Sequence, residues 1–320
     1  FLSSKYAVGV ANATDGLEIA WMALDLQKGD QVICSAHTML ATASAIKMAG
    51  GTPVPVDIGN DNLIDPEAIE EAVNPRTVGI MPTQLNGRTC DMERIMSIAE
   101  KYKLYVVEDA AQSLGSKFKG QNAGTFGNAS AISFFPAKVL GCFGDGGAII
   151  CQDDKIYDKV FQLHDHGRDK EGIVKSWGRN SRLDNLQAAF LNFNLKNYQK
   201  VIDRRRYIAS KYSQNLSSLD ELKLPESPKE NHNHFDVFQN YEIEAENRDK
   251  LQESLKKSGI GTLIQWGGKA IHQWEHLELN YNLPKAELFF QKCIMLPMNM
   301  FISDDDINYI CEKIKEFYKK

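Results

Sequence analysis

Apolar residues follow two alternating rhythms through the first half of the chain. Short runs rich in Val, Ile, Ala and aromatic residues at 6–10, 31–34, 52–56, 77–81, 104–108, 129–134 and 147–151 predict strands. Between several of them, residues 17–26, 66–72 and 92–102 carry the spacing of amphipathic helices. Such alternation predicts an α/β domain with a mainly parallel sheet. The near-continuous apolar runs predict strands covered on both faces. After about residue 155 the rhythm changes. Residues 183–215 predict a long helical region, 217–230 a polar linker containing Pro225 and Pro228, and 237–243 a strand. A helix at 248–258, stopped by Gly259, is followed by an apolar stretch at 261–266 and by a final amphipathic helix at 304–318, begun around Ser303 and Asp306. This second block predicts a smaller α/β domain, with residues 1–205 forming the large domain and 206–320 the small one.

Composition narrows the possibilities. The chain has 320 residues, 43% apolar and 25% charged, a soluble globular balance. A net charge of −5 argues against a nucleic-acid partner. No apolar run approaches the roughly 20 residues of a membrane helix. The six cysteines are scattered without a C-x-x-C pair, which predicts reduced thiols and a cytoplasmic protein.

Three stretches could carry chemistry. Asp109 ends a buried strand, at the edge where open α/β sheets bind ligands, and its carboxylate could pair with a cationic ring nitrogen. A helix cap or turn aspartate is the other reading. Lys138 follows a strand and lies among apolar residues and glycines up to Gly147. Desolvation there lowers an amine's pKa and leaves it free to form a Schiff base. An average lysine in such a place would be a surface residue beside a hairpin. The third stretch, Ala13, Thr14, Asp15 and Glu18, opens a helix with capping-box spacing. That helix end could bind an anion or be an ordinary cap. Together the three supply an amine for an aldehyde, a carboxylate for a pyridine nitrogen and a helix end for a phosphate, the needs of pyridoxal 5′-phosphate. The motifs of P-loop, dinucleotide-binding, zinc-protease and serine-hydrolase sites do not occur, and no metal is expected.

At this point the chain resembles the DegT/DnrJ/EryC1/StrS sugar aminotransferases. The likeness is carried by residues 6–17, 108–112, 133–148 and 178–189 and by Leu296-Pro297-Met298. The run from Ser133 through Phe134, Pro136, Lys138, Leu140 and Gly141 to Gly144, Asp145, Gly146 and Gly147 is its most specific part. The resemblance implies the fold of aspartate aminotransferase (fold type I), with a mostly parallel seven-stranded sheet. It implies Lys138 as the Schiff-base lysine, Asp109 on the pyridine nitrogen and Gln112 on the face or phenolic side of the cofactor. Ser133, Ala13 and Thr14 would bind the phosphate. Asn180 would reach it from the neighbouring subunit, so that active sites are shared in a homodimer. Arg182 is a further candidate, for substrate or for structure.

The chain departs from the family in three places. The segment that usually sets an aromatic ring against the cofactor reads Ser35-Ala36-His37-Thr38-Met39, which leaves His37 or Met39 to take that role. Family members usually carry a few dozen residues before the point where this sequence starts. Residues 261–272 replace the usual His-Tyr-Pro loop, and Gln265, Trp266 and His272 there are substrate candidates. The implied reaction is ping-pong transamination. Glutamate is the expected amino donor, and a nucleotide-linked 3- or 4-keto-6-deoxy sugar the acceptor. A pathway to bacterial lipopolysaccharide or O-antigen would use such a product. A cyclitol ketone is an alternative acceptor. A dehydratase of the same family would carry histidine in place of Lys138, and a non-catalytic regulator would have no use for Lys138, Asp109 and Gln112 together.

Overall fold

The computed structural model describes residues 1–228 and 233–319. In chain order its elements are β1 (Tyr6–Val10), α1 (Ala13–Ala23), β2 (Gln31–Ser35), α2 (Leu40–Met48), β3 (Thr52–Val56), α3 (Pro66–Ala72), β4 (Thr77–Met81), α4 (Met92–Tyr102) and β5 (Tyr105–Asp109). The short strands β6 (Lys117–Phe118) and β7 (Gln121–Asn122) precede β8 (Ala129–Ser133), β9 (Gly147–Cys151), α5 (Asp154–His164), α6 (Asn185–Leu195) and α7 (Tyr198–Leu216). Then come β10 (Leu222–Lys223), β11 (His234–Phe235), β12 (Tyr241–Ala245), α8 (Arg248–Lys257), α9 (Pro284–Lys292), β13 (Cys293–Leu296) and α10 (Asp304–Tyr318).

The seven expected strands form one sheet in the order β1-β9-β8-β5-β4-β2-β3. The pairs from β8 to β3 are parallel, while β9 runs antiparallel to both neighbours. The switch at β9 follows from its connection: β8 returns through the lysine loop without a helical crossover, and only a parallel return requires one. Buried Val, Ile and Ala side chains cover the sheet, with Trp21 of α1 fully enclosed.

A second hydrophobic cluster joins Ile208, Tyr212 and Leu216 of α7 to β12, β13 and α10. The first turns of α7, through Tyr198 and Ile202, pack instead beside the lysine loop. The expected division at 205/206 therefore falls inside a helix that serves both cores. Residues 183–215 hold two helices, broken at Lys196 and Asn197, where a single long helical region was expected. The expected strand at 237–243 begins only at Tyr241; Phe238 takes a left-handed backbone with φ 52°, which a strand cannot contain. Of the expected linker, Lys229 and Glu230 lie outside the described residues. Ser303 and Asp306 form a reciprocal capping box at the start of α10.

Candidate active site

The carboxyl ends of β5 and β8, the N-terminus of α1 and the lysine loop surround a cavity of about 540 Å³, lined by Ala13, Thr14, Met39, Asp109, Gln112, Ser133 and Lys138 among others. Sequence-distant residues meet here because parallel strands present all their carboxyl ends at one edge.

Asp109 is the last residue of β5 and is buried. Its Oδ1 accepts from the Ala111 N–H at 3.2 Å and its Oδ2 from the Thr42 hydroxyl at 2.6 Å. The Thr42 Oγ1 lies 2.6 Å from Thr38 Oγ1, which lies 2.8 Å from Thr83 Oγ1. A hydroxyl carries one proton. Since Thr42 spends its proton on the carboxylate, Thr38 donates to Thr42 and Thr83 donates to Thr38. Three hydroxyl dipoles thus point toward Asp109, and each strengthens the next. Burial nonetheless pushes the Asp109 pKa up, opposed by Thr42, Ala111 and the Lys138 charge. Its neighbour Glu108 faces the other way, where the N–H groups of Gly124, Phe126 and Gly127 and the Gln84 amide satisfy it.

Lys138 sits half-buried in the loop between β8 and β9. Burial lowers its pKa, and Asp109 partly restores it. The site therefore favours the free amine. Across the cavity, α1 begins at Ala13 with Asn12 as its cap, the Asn12 Oδ1 accepting from the Asp15 N–H at 2.8 Å. The expected cap at Asp15 and Glu18 is corrected: both lie within the helix, and Glu18 pairs with Arg179. With Asn12 as the cap, the first turn of α1 lies at the cavity wall, with Thr14 and Ser133 beside it. Gly147 permits this approach, since a Cβ there would lie 2.7 Å from the Asn12 carbonyl carbon and 2.8 Å from the Ala13 nitrogen.

These groups fit pyridoxal phosphate by their chemistry: a desolvated amine, a buried carboxylate with hydroxyl support, and a helix N-terminus suited to a phosphate. Of the two residues expected to lie against the cofactor, Met39 lines the cavity and His37 does not. His37 is buried against Phe289 at 4.3 Å. Its Nδ1 meets the Asn62 carbonyl at 2.8 Å and so carries the proton, while Nε2 faces Glu242 at 3.5 Å.

The substrate candidates do not line the cavity of their own chain. Gln265 donates to Asn86 and Glu242, each at 3.0 Å. Trp266 packs its ring on His37 and Phe290, and the His272 Nε2 lies 3.0 Å from Glu287 Oε1. Arg182 is exposed and pairs with Asp165 at 3.4 Å, next to the exposed Asn180. Sequence reading missed Thr42, Thr83, Phe135 and Asp145 at the site. Asp145 stands within the glycine-rich run and could have been found there; the threonines carry no local signal.

Among the described residues no group of side chains could hold a metal ion, and no helix is long and apolar enough to cross a membrane. All six cysteines are free and buried.

The sequence pattern described as the DegT/DnrJ/EryC1/StrS aminotransferase family matches residues 1–315. The chain is 38% identical to a "Pleiotropic regulatory protein" of Geobacillus stearothermophilus, covering 99% of this chain and 86% of the relative. It is 36% identical to the UDP-2-acetamido-2-deoxy-3-oxo-D-glucuronate aminotransferase of Pseudomonas aeruginosa, over 97% of this chain and 86% of that one. Among solved structures, S. venezuelae DesV in complex with a ketimine intermediate superposes with a TM-score of 0.95 at 31% identity, covering all of this chain and 86% of DesV.

Proposed function

Because the chain belongs to the DegT/DnrJ/EryC1/StrS aminotransferase family and is a pyridoxal-phosphate-dependent aminotransferase, we propose that it transfers an amino group from glutamate to a nucleotide-linked keto sugar, a 3- or 4-keto-6-deoxy sugar foremost. The observation that carries this reading is the convergence of Lys138, Asp109 and the α1 N-terminus on one cavity, joined to the nucleotide-sugar substrate in the Pseudomonas relative's name.

When bound, the cofactor supplies an aldehyde and a ring that draws electrons from the reacting carbon. Lys138, its pKa lowered by burial, would take the proton from the donor's Cα and later return one to the former ketone carbon of the sugar. Asp109 would pair with the ring nitrogen and favour its protonated form. The first turn of α1, with Ser133 and Thr14, would hold the phosphate, and the Gln112 amide would orient the ring. Met39 offers a soft contact to its face.

The enzyme acts in the cytoplasm as a homodimer in which Asn180 completes the neighbour's site. This is supported by the position of Asn180 away from its own cavity and by exposed Trp177, Leu186 and Phe193 on the same stretch of chain. Such exposed apolar residues mark association surfaces.

A screen of 3-keto and 4-keto nucleotide sugars and cyclitol ketones, with glutamate or glutamine, tests the reading by product mass. An aminated nucleotide sugar is expected; amination of cyclitol ketones alone would replace the proposed acceptor. Lys138→Ala should lower turnover by about 10⁴-fold or more and abolish the absorbance of the lysine-bound cofactor. Turnover at an undiminished rate would remove Lys138 from the mechanism.

A further inference from the structure

The five residues 236–240 connect β11 to β12 and lie against the lysine loop. Gln239 among them is buried. Its side-chain carbonyl accepts from the Val139 N–H at 2.9 Å, and its amide donates to the Ala137 carbonyl at 2.9 Å. The two bonds bracket Lys138. The segment is itself held from behind, because Arg205 of α7 donates to the carbonyls of both Phe238 and Gln239 at 3.0 Å. The next residue reaches a second part of the site. Asn240 donates to Asn86 Oδ1 at 2.7 Å, and the Asn86 N–H donates to Gln112 Oε1 at 2.9 Å. Gly87 lets the two backbones meet: its φ is +87°, and a Cβ there would lie 2.6 Å from the nitrogens of both Phe238 and Gln239.

We propose that Gln239 is a positioning residue, which fixes the backbone on both sides of Lys138 and so holds the amine on the cavity wall facing Asp109. The proposal rests on Lys138 being the lysine that bonds the cofactor. The lysine loop leaves Phe135, Pro136 and Ala137 exposed. Its neck is closed by Phe134 N–H to Gly146 O and Cys142 N–H to Phe134 O, each at 2.8 Å, but around the lysine its own backbone supplies only the turn from Lys138 N–H to Phe135 O at 2.8 Å. A long side chain magnifies any backbone rotation at its root, so an outside clamp on both neighbours has a large effect at Nζ. One amide making two bonds also costs less entropy than two separate side chains would. Asn240, through Asn86, orients the Gln112 side chain from the same segment.

The test follows capture of pyridoxal phosphate by the protein freed of cofactor. Nζ attacks the aldehyde carbon, a C–N bond forms and the oxygen leaves as water. Borohydride then delivers hydride to that carbon, water protonates the nitrogen, and the fixed label is mapped by mass spectrometry. Gln239→Met keeps the volume and removes both bonds. Its capture at Lys138 should slow by about tenfold or more. The pH midpoint of capture should rise toward the ordinary lysine value of 10.5 as water reaches a loosened loop. Asp15, Asp109 and Asp145 are the charged side chains that share the cavity with the amine, and all three remain. Asn240→Ala should leave the Lys138 midpoint in place. Equal rates and midpoints in all three proteins, with the label at Lys138, would overturn the positioning role alone. A label on another lysine in the unaltered protein would overturn the lysine assignment and this proposal with it. If Gln239→Met does not fold, hydrogen exchange in the unaltered protein decides: a protected Val139 amide supports the clamp, and one exchanging at the rate of the free chain overturns it.

Discussion

Lys138 and Asp109 illustrate how one environment acts oppositely on an amine and a carboxyl. Burial disfavours charge on both, so the amine is pushed down and the acid up, and each charge partly rescues the other. Removing the Asp109 charge should therefore lower the Lys138 midpoint further. In Asp109→Asn, the pH dependence of pyridoxal-phosphate capture should shift to lower pH than in the unaltered protein, while affinity for the cofactor falls. A shift to higher pH would mean that the carboxylate does not act on this amine. The lysine and the aspartate were both legible from sequence, because each sits in a run of unusual local composition. The three threonines that direct their protons toward Asp109 were not. Thr42 lies in the first turn of α2, Thr38 in the link between β2 and α2, and Thr83 two residues past β4; only the parallel packing of β2, β4 and β5 brings them together.

At the scale of elements, the start of α1 matters through its distance from β9. Gly147 has no side chain to hold the helix off, and the contacts a Cβ would make are with backbone, which cannot move aside cheaply. Gly147→Ala should displace the first turn and weaken pyridoxal-phosphate binding by about tenfold or more, in line with the roughly 1–3 kcal/mol of an overpacked contact. Titration of the cofactor by absorbance measures this, and an unchanged dissociation constant would show that the first turn does not hold the phosphate. The segment 261–272 shows the opposite lesson. Its Gln, Trp and His residues were substrate candidates because the segment replaces the family's usual loop, a plain loop being the equal alternative. In the fold, the Gln265 amide bonds Asn86 and Glu242, the Trp266 ring packs on His37 and Phe290, and the His272 Nε2 meets Glu287.

At the scale of the molecule, the proposed sharing of sites predicts complementation. Lys138→Ala and Asn180→Ala proteins should each be poorly active. Subunits mixed and allowed to exchange should recover about a quarter of the unaltered activity, because half the dimers are then hybrids with one intact site each. No recovery, with hybrids verified by native mass spectrometry, would assign Asn180 to its own chain's site or to none. The division into a large and a small unit belongs to this scale too. The pattern of strands and helices announces a change near residue 155, yet α7 contributes its two ends to different hydrophobic clusters. A continuous helix that serves two hydrophobic clusters leaves no break in composition for a sequence to display.

By itself the sequence determined the seven strands, the lysine and the carboxylate, because burial on both faces demands apolar runs and unusual chemistry stands out against them. It also determined the family, through the run from Ser133 to Gly147. Only the tertiary structure decided that Met39 and not His37 meets the cavity, that Asn12 caps α1, and that Gln239 grips the loop on either side of Lys138. Each of these depends on which of several similar polar groups finds a partner about 3 Å away. That is settled by the packing of distant segments and has no periodic trace along the chain.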